Sequence, residues 1–212
     1  MKKLKQYRGY LLLEAITLFA GIPLLFYWNL VPIPKLAALL IIALVCGYIL
    51  WPDRILDKSI LLGDNTVKLS KSLLLRLVLV SLALVVLVWI IQPRQFLALP
   101  SEQPVLWGIV MGIYPILSAL PQEIIYRAFF FKRYGDYLPG KYGAIIVSAL
   151  AFSFLHIVYD NWWAVGLSLV AGLLLGLSYR KTQSLFWVTV EHVLYGWLVF
   201  TLGLGNFFYE PF

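Results

Sequence analysis

The sequence predicts an all-α polytopic membrane bundle of about seven transmembrane helices, with an eighth if one connection re-enters the bilayer. Three observations predict it. The chain is 62% hydrophobic and 13% charged, with a mean hydropathy of +0.87. An ordinary soluble domain is about 45–50% apolar and about 25% charged. Seven apolar runs approach or exceed the length of about 20 helical residues that crosses a hydrocarbon core. The basic residues also alternate from one connection to the next, as membrane orientation demands.

The runs lie near 9–29, 36–51, 73–91, 105–131, 142–158, 162–178 and 184–204. The first begins in MKKLKQYRG, a charged start like that of a signal peptide. Its apolar run is long and no clean small-x-small cleavage site follows, so an uncleaved first span is expected. The second, fifth and sixth runs are short, at the lower limit for spanning. The longest polar connection, PDRILDKSILLGDNTVKLSKS (52–72), has turn chemistry at Gly63, Asp64 and Asn65. The expected organisation is three N-terminal spans in 1–104, then a core of four spans in 105–212 that carries the functional residues.

With the N-terminus inside, the inner segments hold Lys2, Lys3, Lys5 and Arg8, then Arg54, Lys58, Lys68, Lys71 and Arg76, then Lys132, Arg133, Lys141, Arg180 and Lys181. That is 14 of the 17 Lys and Arg. The outer segments hold only Lys35 and Arg94, and Arg127 falls within a span. The expectation is an integral, multi-pass protein with a cytoplasmic N-terminus, in the inner membrane of a bacterial cell. The net charge of +7 is therefore a matter of topology, not of nucleic-acid binding. A single cysteine, Cys46, excludes an internal disulfide framework and a Cys-based zinc site.

Ionisable groups inside spanning helices cost roughly 2.5–3.5 kcal/mol on insertion scales, and they usually face the bundle interior. They are few here: Glu14, Arg76, Glu123, Arg127, His156, Glu191 and His192. Arg76 lies near its helix end and is expected to snorkel. Glu14 is expected to pair with a nearby basic group. Glu123 and Arg127 stand at i, i+4 with Glu first, on one helix face and in the better order for an ion pair. Both histidines of the chain, His156 and His192, fall within spans. A lone buried histidine is usually a satisfied core residue. Two of two, beside a Glu–Arg pair on a third helix, point to a shared interior site of the kind that bundles build.

Depth tests that convergence. At 1.5 Å per residue, Glu123 lies roughly 13 Å in from Lys132, His192 roughly 16 Å in from Lys181, and His156 roughly 22 Å in from Lys141. The third is deeper by about 6–9 Å, which tilt or a helix starting outside the membrane would absorb. Gly166, Gly172 and Gly176 give the sixth span small-residue faces suited to close helix contact.

A carboxylate in a partly dry cavity holds a proton more tightly, which suits it to take one from water near neutral pH. An imidazole can donate to the oxyanion that forms when that water attacks an amide. Glu123, His156 and His192 thus suit metal-free peptide hydrolysis. The same three residues also suit zinc in a His₂Glu set, and spacing does not separate the two. A metal site would need another base, and Glu191, the nearest spare carboxylate, lies about 100° round the helix from His192.

QEIIYR (122–127), FSFLH (152–156) and EHVLYG (191–196) together resemble the motifs of the CAAX protease and bacteriocin-processing family, also called Abi. These are multi-pass intramembrane endopeptidases with Glu-Glu-x-x-x-Arg, Phe-x-x-x-His and His-x-x-x-Asn or Asp. The resemblance covers roughly 105–205 and does not cover the first three spans. It implies catalytic roles for Glu123, His156 and His192, with Gln122, Arg127, Phe152 and Glu191 in support. Two departures stand out. The family's first Glu, its usual base, is Gln122 here, and its last Asn or Asp is Gly196. An amide oxygen cannot serve as a base at neutral pH, so the role is expected to shift to Glu123 or to Glu191. Gly196 is expected to leave open space beside His192 for a substrate backbone.

The expected function is an intramembrane endopeptidase acting on a membrane-associated protein or peptide, with its cavity reached from the cytoplasmic side. Glu123 would be the base, the two histidines would hold water or oxyanion, and Arg127 would fix Glu123. Glu123→Ala would then abolish cleavage and leave the protein folded. The alternative is a catalytically inactive relative that acts as a membrane-embedded binding or scaffold protein. A proton-coupled carrier with the same groups as a relay is a third reading, but no inverted repeat joins the two halves.

Overall fold

The computed structural model describes residues 2–50 and 71–209, with side chains for 8–50 and 73–209. The turn expected at Gly63–Asn65 lies outside the described residues, as do Arg54, Lys58 and Lys68. Among the described residues the structure is helical and has no strand.

The first span is α1 (Lys2–Ile16) and α2 (Ile22–Tyr27), joined through a wide π turn at Thr17–Gly21. Then come α3 (Lys35–Leu50) and α4 (Lys71–Ile91), and a short α5 (Ala98–Glu102) outside the span pattern. A helical run of 34 residues follows, Pro104–Tyr137. It is built from α6 (Pro104–Tyr114), α7 (Leu120–Glu123) and α8 (Phe130–Tyr134), with π turns at Pro115–Ala119 and Ile124–Phe129. Pro115 has no N–H for the α-helical ladder, and a wider turn accommodates the missing bond. The bundle closes with α9 (Gly143–Leu155), α10 (Trp162–Thr182) and α11 (Leu185–Leu202).

Every expected span is a helix. Five are long and apolar enough to cross a membrane, while Lys35–Leu50 and Gly143–Tyr159 are shorter apolar helices. The sixth run is longer than expected, because the helix carries Arg180 and Lys181 as its last turn instead of stopping before them. Cations at a helix C-terminus complement its dipole. Asn161 opens that helix by accepting from the Ala164 backbone N–H at 2.8 Å. Gln183, in the left-handed region, ends it.

The outer faces carry large apolar side chains such as Leu44, Ile90 and Val105, each more than 70% exposed, as lipid-facing positions require. Inside, Phe19 of the first span packs on Tyr126, Phe130 and Tyr134 of the long helix, at ring centroids of 5.4, 5.3 and 5.9 Å. Glu14 does find a basic partner, though far away in sequence. Arg133 donates to both of its oxygens at 2.9 and 2.8 Å, and Tyr134 adds a third bond at 2.6 Å.

The closest helix contact is α9 on α10, and the glycines of α10 make it. A Cβ on Gly172 would lie 3.0 Å from Ala149 Cα, and one on Gly176 would lie 3.0 Å from Ile145 Cγ2. Gly166 has nothing within 4 Å at that point and is not part of the seam. Gly172→Leu is therefore expected to cost about 1–3 kcal/mol in a detergent denaturation series, as overpacking does. Gly166→Ala should be neutral or slightly stabilising. Equal loss in both would show that the seam does not hold the pair together.

Candidate active site

The two π turns bracket Leu120–Glu123, the segment that carries the candidate carboxylate. Gln122 is 7% exposed, and Glu123 and Arg127 are fully buried. Glu123 spends both oxygens within the protein. Oε1 accepts from His192 Nδ1 at 2.8 Å. Oε2 faces Arg127 Nε at 3.3 Å. The expected pair on one helix face is thus present, and the last helix supplies a third member.

Arg127 is held in its turn. Nη1 donates to Ser148 Oγ at 3.1 Å and to the Tyr126 carbonyl at 3.3 Å. Ser148 donates to that same carbonyl at 2.6 Å. The guanidinium carbon stands 5.1 Å from the centre of the Phe152 ring, within cation–π reach.

Phe152 is the hub of the site. Its ring lies 4.9 Å from His156 and 5.6 Å from His192, edge-on to both. Its carbonyl accepts from His156 Nδ1 at 2.8 Å. A carbonyl only accepts, so His156 carries its hydrogen on Nδ1 and its Nε2 is the acceptor. His192 is oriented likewise: Nδ1 points at Glu123 and leaves Nε2 for chemistry. Fixing one imidazole nitrogen this way is how proteins set the role of the other.

The extra depth counted for His156 does not keep it from the group. The helix ends there, in a tight turn over His156–Tyr159, and the ring swings onto Phe152 and Phe208. Its surroundings are the loops at the end away from Lys141. Lys35 reaches the Val158 carbonyl at 2.9 Å, and Asn161 reaches the Phe207 carbonyl at 2.8 Å. His156 thus stands at the end of its helix away from Lys141.

Glu191 is sent elsewhere. It accepts from Tyr195 at 2.6 Å and pairs with Arg76 Nη1 at 3.3 Å. Arg76 therefore turns inward to a buried carboxylate, where snorkelling was expected. Gln122 donates to Ser118 Oγ at 2.9 Å, and its buried Oε1 has no partner among the described residues. The space expected beside Gly196 is filled. A Cβ there would overlap the ring and hydroxyl of Tyr114, whose ring also packs edge-on to His192 at 6.0 Å. Tyr114 and Ser118 escaped the sequence reading. Their one signal is spacing, since Tyr114, Ser118 and Gln122 recur every fourth residue.

Among the described residues, no group of three or more His, Cys, Asp or Glu side chains is gathered for a metal ion. The arrangement offers two imidazole Nε2 atoms, one backed by a carboxylate, around a buried phenyl ring. Such an arrangement suits acid–base chemistry. No curated protein and no solved structure matches the chain. Residues 102–198, which carry Gln122, Glu123, His156 and His192, match the family model described as Type II CAAX prenyl endopeptidase Rce1-like, and that segment is similar to this family.

Proposed function

We propose that the protein is an intramembrane endopeptidase that hydrolyses a peptide bond of a membrane-associated protein or peptide. Glu123 and His192 would work as one acid–base unit. The observation that carries this reading is the 2.8 Å bond between buried Glu123 and His192, with Arg127 on the other carboxylate oxygen. One Glu123 oxygen accepts from His192 and the other faces Arg127, so in this reading Glu123 acts through His192. Water gives its proton to His192 Nε2 as its oxygen attacks the carbonyl carbon. The imidazolium, stabilised by the carboxylate behind it, passes the proton to the amide nitrogen as the C=O re-forms and the C–N bond breaks, releasing the amine. His156 Nε2 accepts the water's other hydrogen and aims it. Gln122, with its unpartnered amide oxygen, adds a second acceptor on the same wall.

The test is cleavage of an internally quenched peptide library, prenylated and unprenylated, by purified protein in detergent, with and without chelator. His192→Gln is expected to lower kcat on the order of 10³–10⁴-fold, as loss of a triad-type member does. Cleavage should survive chelation. Loss on chelation with recovery on added zinc would instead put a metal at the two Nε2 atoms. A wild-type rate in His192→Gln, or no cleaved peptide at all, would count against the hydrolase and for the binding protein.

A further inference from the structure

Tyr114 is the residue of this site that its acid–base chemistry leaves unused. It ends α6, at the edge of the first π turn. Its ring fills the notch that Gly196 leaves on the last helix, and an added Cβ would overlap Cε1, Cζ and the hydroxyl oxygen. Gly196 stands one turn beyond His192 and so on the same face of α11. The ring packs edge-on to His192 on one side, and to Phe200 at 5.6 Å on the other. The phenol is thus wedged between fixed neighbours, and its hydroxyl has no hydrogen-bond partner among the described residues. A packing residue at this place needs no hydroxyl. Phenylalanine would fill the same notch.

We propose that the Tyr114 hydroxyl is the electrophilic donor of the site. When the water oxygen bonds to the substrate carbonyl carbon, the C=O π electrons move to the carbonyl oxygen. Tyr114 keeps its proton and donates a hydrogen bond to that oxyanion. Gly196 is then glycine because any side chain would expel the phenol. The inference rests on the hydrolase reading and adds the group which that reading lacks. His192 and His156 handle protons as acceptors, and nothing else described so far donates to the oxyanion.

The test uses the full-length protein and a quenched peptide that the wild type cleaves. Tyr114→Phe removes the hydroxyl and keeps the ring in its notch, so folding is preserved. It is expected to lower kcat on the order of 10²-fold, the loss typical of one oxyanion donor, with KM within about twofold. Gly196→Ala, which pushes the ring out, should lose activity to the same degree. The double variant should be no worse than either single, since both remove one interaction. Tyr114→Phe with wild-type kcat, beside an inactive His192→Gln, overturns this assignment alone. A His192→Gln that cleaves normally, or a wild type that cleaves nothing, overturns the hydrolase reading and this one together.

Discussion

Glu123→Ala is expected to lose about 3–5 kcal/mol of stability as well as its activity, because it strands a buried guanidinium. Arg127 is fully buried, and Glu123 is the only carboxylate that pairs with it among the described residues. Its remaining contacts are Ser148, a carbonyl and the face of Phe152, all neutral. Among the described residues Nη2 has no partner even with the pair intact. Removing the carboxylate leaves a buried cation without its paired carboxylate. From the sequence, this variant is expected to stay folded, since it treats Glu123 as a catalytic group on an independent scaffold. The structure makes Glu123 part of the scaffold. His192→Gln is the contrasting variant: it removes the reacting nitrogen and leaves the Glu123–Arg127 pair in place. It should unfold within about 1.5–3 kcal/mol of wild type, the scale of one hydrogen bond to a charged group, and still be inactive. Thermal or denaturant unfolding in detergent, run beside the cleavage assay, separates the two. A Glu123→Ala protein as stable as wild type would mean that water or a lipid headgroup reaches Arg127.

What the sequence could show follows from what a one-dimensional pattern carries. Glu123 and Arg127 share a face because four residues make roughly one helical turn, and the structure keeps that contact even across a π turn. Phe152 and His156 meet for the same reason, through both ring and carbonyl. Ionisable residues in apolar runs stand out against their surroundings, so the three helices of the site were legible. The contacts between helices were not. Glu191 is adjacent to His192 in sequence, yet its carboxylate leaves toward Arg76 on another span. Nothing in the spacing of 76 and 191 encodes that meeting. Gly196 read as empty space, because a glycine does not reveal which neighbour's side chain fills its place. The π turns were also hidden: each is a local response of the backbone to proline and packing, with no periodicity of its own.

The double variant Glu123→Leu with Arg127→Met is expected to be more stable than either single variant while remaining inactive. Arg127→Met alone leaves the Glu123 carboxylate buried with only His192 against it, and should cost about 3–5 kcal/mol, as any half-removed buried pair does. Removing both charges removes the reason for either penalty. Leucine and methionine fill similar volume beside Phe152, and apolar replacements of whole buried pairs are often neutral. A coupling on the order of 2–3 kcal/mol between the two positions would be the signature of a direct pair. Additive losses would mean that each side chain is held by its other neighbours, Arg127 by Ser148 and Phe152, Glu123 by His192. The activity of the double variant tests the role of the carboxylate. If the carboxylate is there to set the charge and orientation of His192, no gain in stability can restore cleavage. A stable double variant that cleaves at the wild-type rate would make Glu123 and Arg127 a packing device and leave the chemistry to the histidines alone.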